Sequence, residues 1–115
     1  MVTAAQRIIA EASSWPGVVV VPGARGETSL RIGRCELGHL HGDGVAHFAF
    51  PMGLWLGLVD EGHVEPHPLG RAGLAERRIR TEADVADVIA LLRLGYDHMV
   101  KRAESSPAPA AARSA

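Results

Sequence analysis

The sequence predicts an α+β domain, an antiparallel sheet of about four to five strands with helices packed on one face, in the order α-β-β-β-β-α-β-α. Three observations predict it. Apolar residues recur at helical spacing near both ends, in Ala5, Ile8, Ile9 and Ala12 and again in Val85, Val88, Ile89, Leu92, Tyr96 and Met99. Short β-branched or alternating runs lie between them, from Val18 to Val21 and from Cys35 to Phe50. Glycine- and proline-rich turns punctuate these runs closely, which suits an antiparallel meander.

The first helix is expected from Thr3 to Ser13, ended by Ser13-Ser14-Trp15-Pro16-Gly17. Val18 to Val21 is a continuous β-branched run and reads as a strand buried on both faces. Pro22-Gly23-Ala24-Arg25-Gly26 is turn chemistry, Ser29 to Ile32 is the returning strand, and Gly33 marks a bulge before the next hairpin. In that hairpin Cys35, Leu37, His39 and His41 share one face of a regular strand. A three-residue Gly42-Asp43-Gly44 loop pairs His39 with His47, whereas a two-residue Asp43-Gly44 turn sets His47 against Leu40. The longer loop is favoured because it leaves Leu40, Ala46, Phe48 and Phe50 together as a core face.

Pro51 suits the first position of a helix from Met52 to Glu61, closed by Gly62. That helix is apolar almost all round, through Met52, Leu54, Trp55, Leu56, Leu58 and Val59, which fits a central core helix. Its alternative use is a dimer face, or a hydrophobic ligand wall built around Trp55, with Gly53 and Gly57 allowing close approach. His63 to Gly70 reads as a loop, and Leu74 to Arg80 as an exposed edge strand guarded by its charges. Thr81 is the N-cap of the last helix, Glu82 and Asp84 suit the positive end of its dipole, and it runs to about Lys101. Residues 1–103 are then one domain, and Glu104 to Ala115, rich in Ser, Pro and Ala, is a disordered tail.

A chain of 115 residues, 47% hydrophobic and with a net charge of −1, has the makeup of one globular domain. Twelve basic residues against thirteen acidic ones create no field to attract nucleic acid or an anionic membrane. Cys35 stands alone, so no internal disulfide forms, and with no basic group near it the thiol reads as buried and inert. No apolar run spans a bilayer and no signal peptide opens the chain, so a cytoplasmic location is expected.

The chemistry is concentrated in His39, His41 and His47, three of the chain's six histidines, followed by His67 in the Pro- and Gly-rich loop. His-x-His on a strand sets two imidazoles on one side, about 6–7 Å apart at the backbone. With His47 opposite His39 and His67 reaching in, the four are candidate ligands for a divalent metal such as zinc, copper or iron. The same imidazoles are candidate acids and bases, because histidine titrates near neutrality. On a regular strand Glu36 points away from His39, so an orienting role for it requires a bulge. His63 and His98 group with nothing and read as structural. Arg77-Arg78-Ile79-Arg80, with Arg71, is either a solvated strand edge or a hold on a ligand carboxylate or phosphate. Gly42-Asp43-Gly44 is a turn and not a phosphate loop, since no Lys-Ser/Thr and no helix follow it.

Glu36-Leu37-Gly38-His39-Leu40-His41, then His47, then His67-Pro68-Leu69, then a terminal helix ending near Gly95-Tyr96 form a familiar order. Over Arg34 to Met99 the chain resembles the small bacterial luciferase-domain proteins, and it is similar in the same places to the C-terminal half of the fungal luciferases, the hydroxyhispidin oxygenases. The resemblance implies an oxygenase acting on a hydroxylated styryl-pyrone or a related electron-rich aromatic. Oxygen adds to the ring, a strained peroxide forms, and carbon dioxide leaves with light, without flavin or nicotinamide. It implies catalytic roles for His39, His41, His47 and His67 as the polar pocket lining, with Glu36 as an orienting carboxylate at the substrate. His39 or His41 would take the proton of an acidic enol or phenol, and the remaining rings would hydrogen-bond the developing oxyanion.

One departure concerns the substrate. Between Gly73 and Arg80 the family usually carries a Trp, and here Leu74 and Arg77 stand there instead. Trp55 and Arg77 join Glu36 as substrate-binding candidates. The expected partners are a small aromatic or hydrophobic molecule and molecular oxygen, with a homodimer through the apolar helix, and no cofactor beyond the metal of the alternative reading. A non-catalytic module that binds a hydrophobic molecule or dimerises is the remaining alternative, because a shared domain does not by itself carry a shared reaction.

Overall fold

Thr3 and Gln6 close a reciprocal capping box at the head of α1 (Ala4–Ser13), and Ile8 and Ala12 give that helix its buried stripe. The chain then folds through β1 (Val18–Pro22), β2 (Thr28–Ile32), β3 (Cys35–His41), β4 (Val45–Ala49), α2 (Met52–Asp60), β5 (Glu65–Pro66), β6 (Leu74–Arg78) and α3 (Glu82–Ser105). The structure is a computed structural model and describes residues 1–105. Its strands form one antiparallel sheet in the order β1-β2-β3-β4-β6-β5. The α+β class and the order of the main elements are those the sequence predicts. The sheet has six strands rather than four or five, because Glu65–Pro66, expected in a loop, pairs with Glu76 and Ala75. Glu104 and Ser105 prolong α3, and the rest of the expected tail lies outside the described residues.

One face of the sheet carries the core. Leu30, Leu37, Leu40, Ala46, Phe48 and Ala75 pack with Ile8 and Ala12 of α1 and with Val85, Val88 and Leu92 of α3. Burial of this kind contributes roughly 1.5–3 kcal/mol per large apolar side chain. Gly38 lets α3 approach: a β-carbon there would lie 2.6 Å from the His47 carbonyl oxygen and 3.1 Å from Leu92. At the end of the β3–β4 hairpin, Asp43 accepts a hydrogen bond from the Ala5 amide at 2.9 Å, tying the turn to the first turn of α1. No helix among the described residues is long and apolar enough to cross a membrane.

Several expectations are corrected by strand order. The valines of β1 are not buried on both faces; β1 is the sheet's edge, and Val19 is 55% exposed. β6 is not the edge, since β5 covers its outer side. α2 is not a central helix, as only Leu58 is buried while Met52 and Leu56 are exposed. Cys35 is exposed beside the β2–β3 turn, and Gly33, with φ +57°, makes that turn rather than a bulge.

Candidate functional site

The face of the sheet opposite the helices collects the histidines. The β3–β4 register pairs His39 with His47 and His41 with Val45, which fixes the loop as the three-residue Gly42-Asp43-Gly44. The next strand over, β6, sets Glu76 opposite His47. On the other side, Ser29 of β2 pairs with His39. These residues form one cross-strand row, so their side chains stand on one face.

Glu36 reaches that face through an irregularity. Leu30 pairs with Gly38 and Arg31 with Glu36, so Leu37 is an extra residue in β3 without a partner in β2. This is a β-bulge, and it rotates the strand by one position. Leu37 therefore enters the core rather than sharing a face with His39, and Glu36 joins the histidines.

The result is a chain of contacts across three strands. Glu36 Oε1 lies 2.8 Å from His39 Nδ1, His39 Nε2 lies 3.2 Å from His47 Nδ1, and His47 Nε2 lies 3.1 Å from Glu76 Oε1. Ser29, buried, donates to Glu36 Oε2 at 2.5 Å and accepts from Arg31 Nε at 3.1 Å. Burial by itself would raise Glu36, but the hydrogen bonds from Ser29 and His39 and the charges of His39 and Arg31 bring its carboxyl below the usual value. His47 is held below the ordinary imidazole value by burial and by the neighbouring His67, His39 and His41, against the opposing pull of Glu76.

Hydrogen counting constrains this chain. Three contacts call for three hydrogens, and two neutral imidazoles supply two. When each ring donates to its own carboxylate, the facing nitrogens of His39 and His47 are both bare lone pairs.

The other two histidines complete the cluster in different ways. His41 is exposed, with its ring centroid 4.9 Å from that of His39 and 4.8 Å from that of His47. Donor atoms of His39, His41 and His47 lie within 4.8 Å of one another, a grouping that could hold a metal ion. The His67 ring sits 4.3 Å from His47, and its Nδ1 accepts a hydrogen bond from the Leu69 amide at 3.1 Å. A neutral ring with Nδ1 accepting carries its hydrogen on Nε2, so His67 is a donor.

Above the cluster runs a groove of about 800 Å³. Its floor includes Ser29, Glu36, His39, His41, His47 and His67; Val21, Pro22, Leu69 and Leu74 give it apolar walls; Arg25 and Arg31 add positive charge.

Trp55 and Arg77 are not brought to this groove. The Trp55 indole N–H donates to the Leu74 carbonyl at 2.9 Å, bracing α2 against β6. Arg77 alternates with Glu76 along β6 and so points to the helix side, where it meets Asp84 at 2.8 Å and Asp87 at 2.7 Å. His63 and His98 are exposed and stand apart from the cluster. The sequence reading missed Glu76, Ser29 and Arg31. Alternation along Leu74–Arg78 separates Glu76 from Arg77, but only the pairing of β6 with β4 sets Glu76 against His47.

Residues 34–95, more than half of the chain and including all four clustered histidines, match the family described as the luciferase domain. No curated protein and no solved structure matches the chain significantly.

Proposed function

The chain belongs to the luciferase-domain family, and from that premise we propose that it is an oxygenase of small, electron-rich hydroxylated rings, aromatic or pyrone, of the kind the fungal luciferases use. The observation that supports this reading is the groove, which joins apolar walls to a floor of four imidazoles and the carboxylate of Glu36. A flat ring packs against Val21, Leu69 and Leu74, and its hydroxyl meets the histidines. The cluster draws off the acidic hydrogen and holds the oxyanion, with the His67 Nε2–H as a donor to it. The ring anion then adds oxygen at carbon. Both oxygen atoms stay with the substrate, so the step needs no outside reductant, flavin or nicotinamide.

Oxygen uptake by the purified protein with hydroxylated pyrones and polyphenols tests the reading. Uptake is expected, and the His67→Ala variant is expected to lose about 10²-fold or more in rate, the usual cost of one oxyanion donor. Saturable binding without uptake, followed through the fluorescence of Trp55 behind Leu74, would overturn catalysis and leave a binding module.

A further inference from the structure

We propose that His39, His41 and His47 hold a divalent transition-metal ion, with Glu36 and Glu76 as the carboxylates that orient its ligands. The proposal names the cofactor of the oxygenase-type site and rests on that reading for the ion's role, though not for its binding.

Four observations carry it. The first is the pair of facing nitrogens: with both rings neutral and each donating its N–H to a carboxylate, at 2.8 Å for Glu36 and 3.1 Å for Glu76, His39 and His47 turn lone pairs toward each other. An ionised carboxylate only accepts hydrogen bonds, and as a charged partner it outcompetes the neighbouring imidazole for the N–H. Two lone pairs face to face repel unless a positive centre lies between or above them.

The second is the spacing. Two nitrogens bound to one tetrahedral ion at ~2.0–2.1 Å stand ~3.3 Å apart, and the observed separation of His39 Nε2 from His47 Nδ1 is 3.2 Å. The third is His41, whose ring centroid lies 4.9 Å from that of His39 and 4.8 Å from that of His47 and whose donor atom falls within 4.8 Å of theirs. The fourth is His67. Its Nδ1 is occupied by the Leu69 amide, so its hydrogen-bearing Nε2 is not a ligand.

Three imidazoles with an open position toward a groove make a catalytic rather than a structural metal site. Imidazole nitrogens select borderline ions such as zinc, copper or iron over magnesium or calcium. The paired carboxylates give the carboxylate–histidine–metal arrangement on two ligands at once. The bulge at Leu37 is what supplies Glu36 to it. With those three rings as ligands, the ion would act as a Lewis acid at its open position: it would favour ionisation of the ring hydroxyl, whose proton leaves to water in the groove, and would bind the oxyanion beside the His67 Nε2–H.

The test is titration of chelator-stripped protein with Zn²⁺ by calorimetry, and with Co²⁺ by its visible absorption, with circular dichroism to verify folding of each variant. One ion per chain is expected, with a tetrahedral Co²⁺ spectrum. Glu76→Gln is expected to weaken binding 10–100-fold, His41→Ala and His47→Ala to weaken it further, and His67→Ala to leave it unchanged. Because His41 is exposed and its side chain stands outside the hydrogen-bonded row of Glu36, His39, His47 and Glu76, its variant keeps the test decisive should His47→Ala fail to fold. No binding by the wild type, or equal loss in His67→Ala and His41→Ala, would overturn the proposal. Full oxygen uptake by the chelator-stripped protein would overturn the ion's role in the reaction and leave the oxygenase reading standing. Stoichiometric metal without uptake on any ring substrate would sustain the site and overturn the oxygenase reading.

Discussion

Gly38 shows how a single residue couples the core to the site. It lies between Leu37 and His39, pairs with Phe48, and faces Leu92 of α3. Its backbone is ordinary, so the requirement is one of space. A methyl group at 2.6 Å from the His47 carbonyl must move that strand, since backbone cannot swing aside as a side chain can. Gly38→Ala is expected to destabilise the protein by about 1–3 kcal/mol, the usual cost of overpacking a core. Urea denaturation measures that loss, and an unchanged midpoint would show that the sheet yields freely. The four histidines were legible in the sequence as a group, and the preference for a three-residue loop is the one the structure adopts. Glu36 was legible only conditionally, because its face depends on whether β3 is regular. A bulge leaves no mark on residue types that alternation would detect.

At the scale of elements, the approach from β6 to α3 is governed by one carboxylate. Asp84 accepts from the Arg80 and Thr81 amides at 2.8 and 3.0 Å, and its own amide donates to Thr81 Oγ1 at 3.1 Å. This is a capping box with aspartate in the third position. The hydrogen bond from Arg77, with those backbone bonds, pulls the Asp84 carboxyl down to about 2. A carboxyl lowered on folding stabilises the native state in full above the ordinary carboxylate range. That contribution is lost as the pH falls from about 4 towards 2. Wild type is therefore expected to lose stability in acid more steeply than Asp84→Asn, with the difference confined to that window. Melting temperatures taken across pH 2–6 measure it, and parallel curves would refute the assignment. Thr81 as N-cap was readable from sequence because capping is local. Arg77 as the partner of Asp84 was not, since it looked equally like a solvated edge residue or a ligand contact.

For the whole molecule, the decisive arrangement is one sheet with two unlike faces. α1 and α3 cover the first and leave the second open for the groove. A polar tie locks the covering layer: Tyr96 of α3 donates to the Pro16 carbonyl at 2.7 Å, its ring packs 5.4 Å from Trp15, and Arg93 lies over both rings. Tyr96→Phe is expected to cost about 0.5–1.5 kcal/mol, the net worth of one hydrogen bond, with the groove unaffected. Denaturation with a parallel ligand or metal titration separates the two effects, and a change in both would show that the layers are coupled. The sequence by itself determined the α+β class and the amphipathic helices α1 and α3, favoured the hairpin that opposes His39 to His47, and carried the resemblance to the luciferase domain. The class, the helices and the hairpin follow from periodicity, capping and turn chemistry acting over a few residues. Only the tertiary structure decided that β1 is an edge, that α2 lies at the surface, and that Glu76 meets His47 across 29 residues of chain. Strand order and register are set by which distant segments pair and by which apolar faces they bury together, and a local pattern of residue types is compatible with several such pairings.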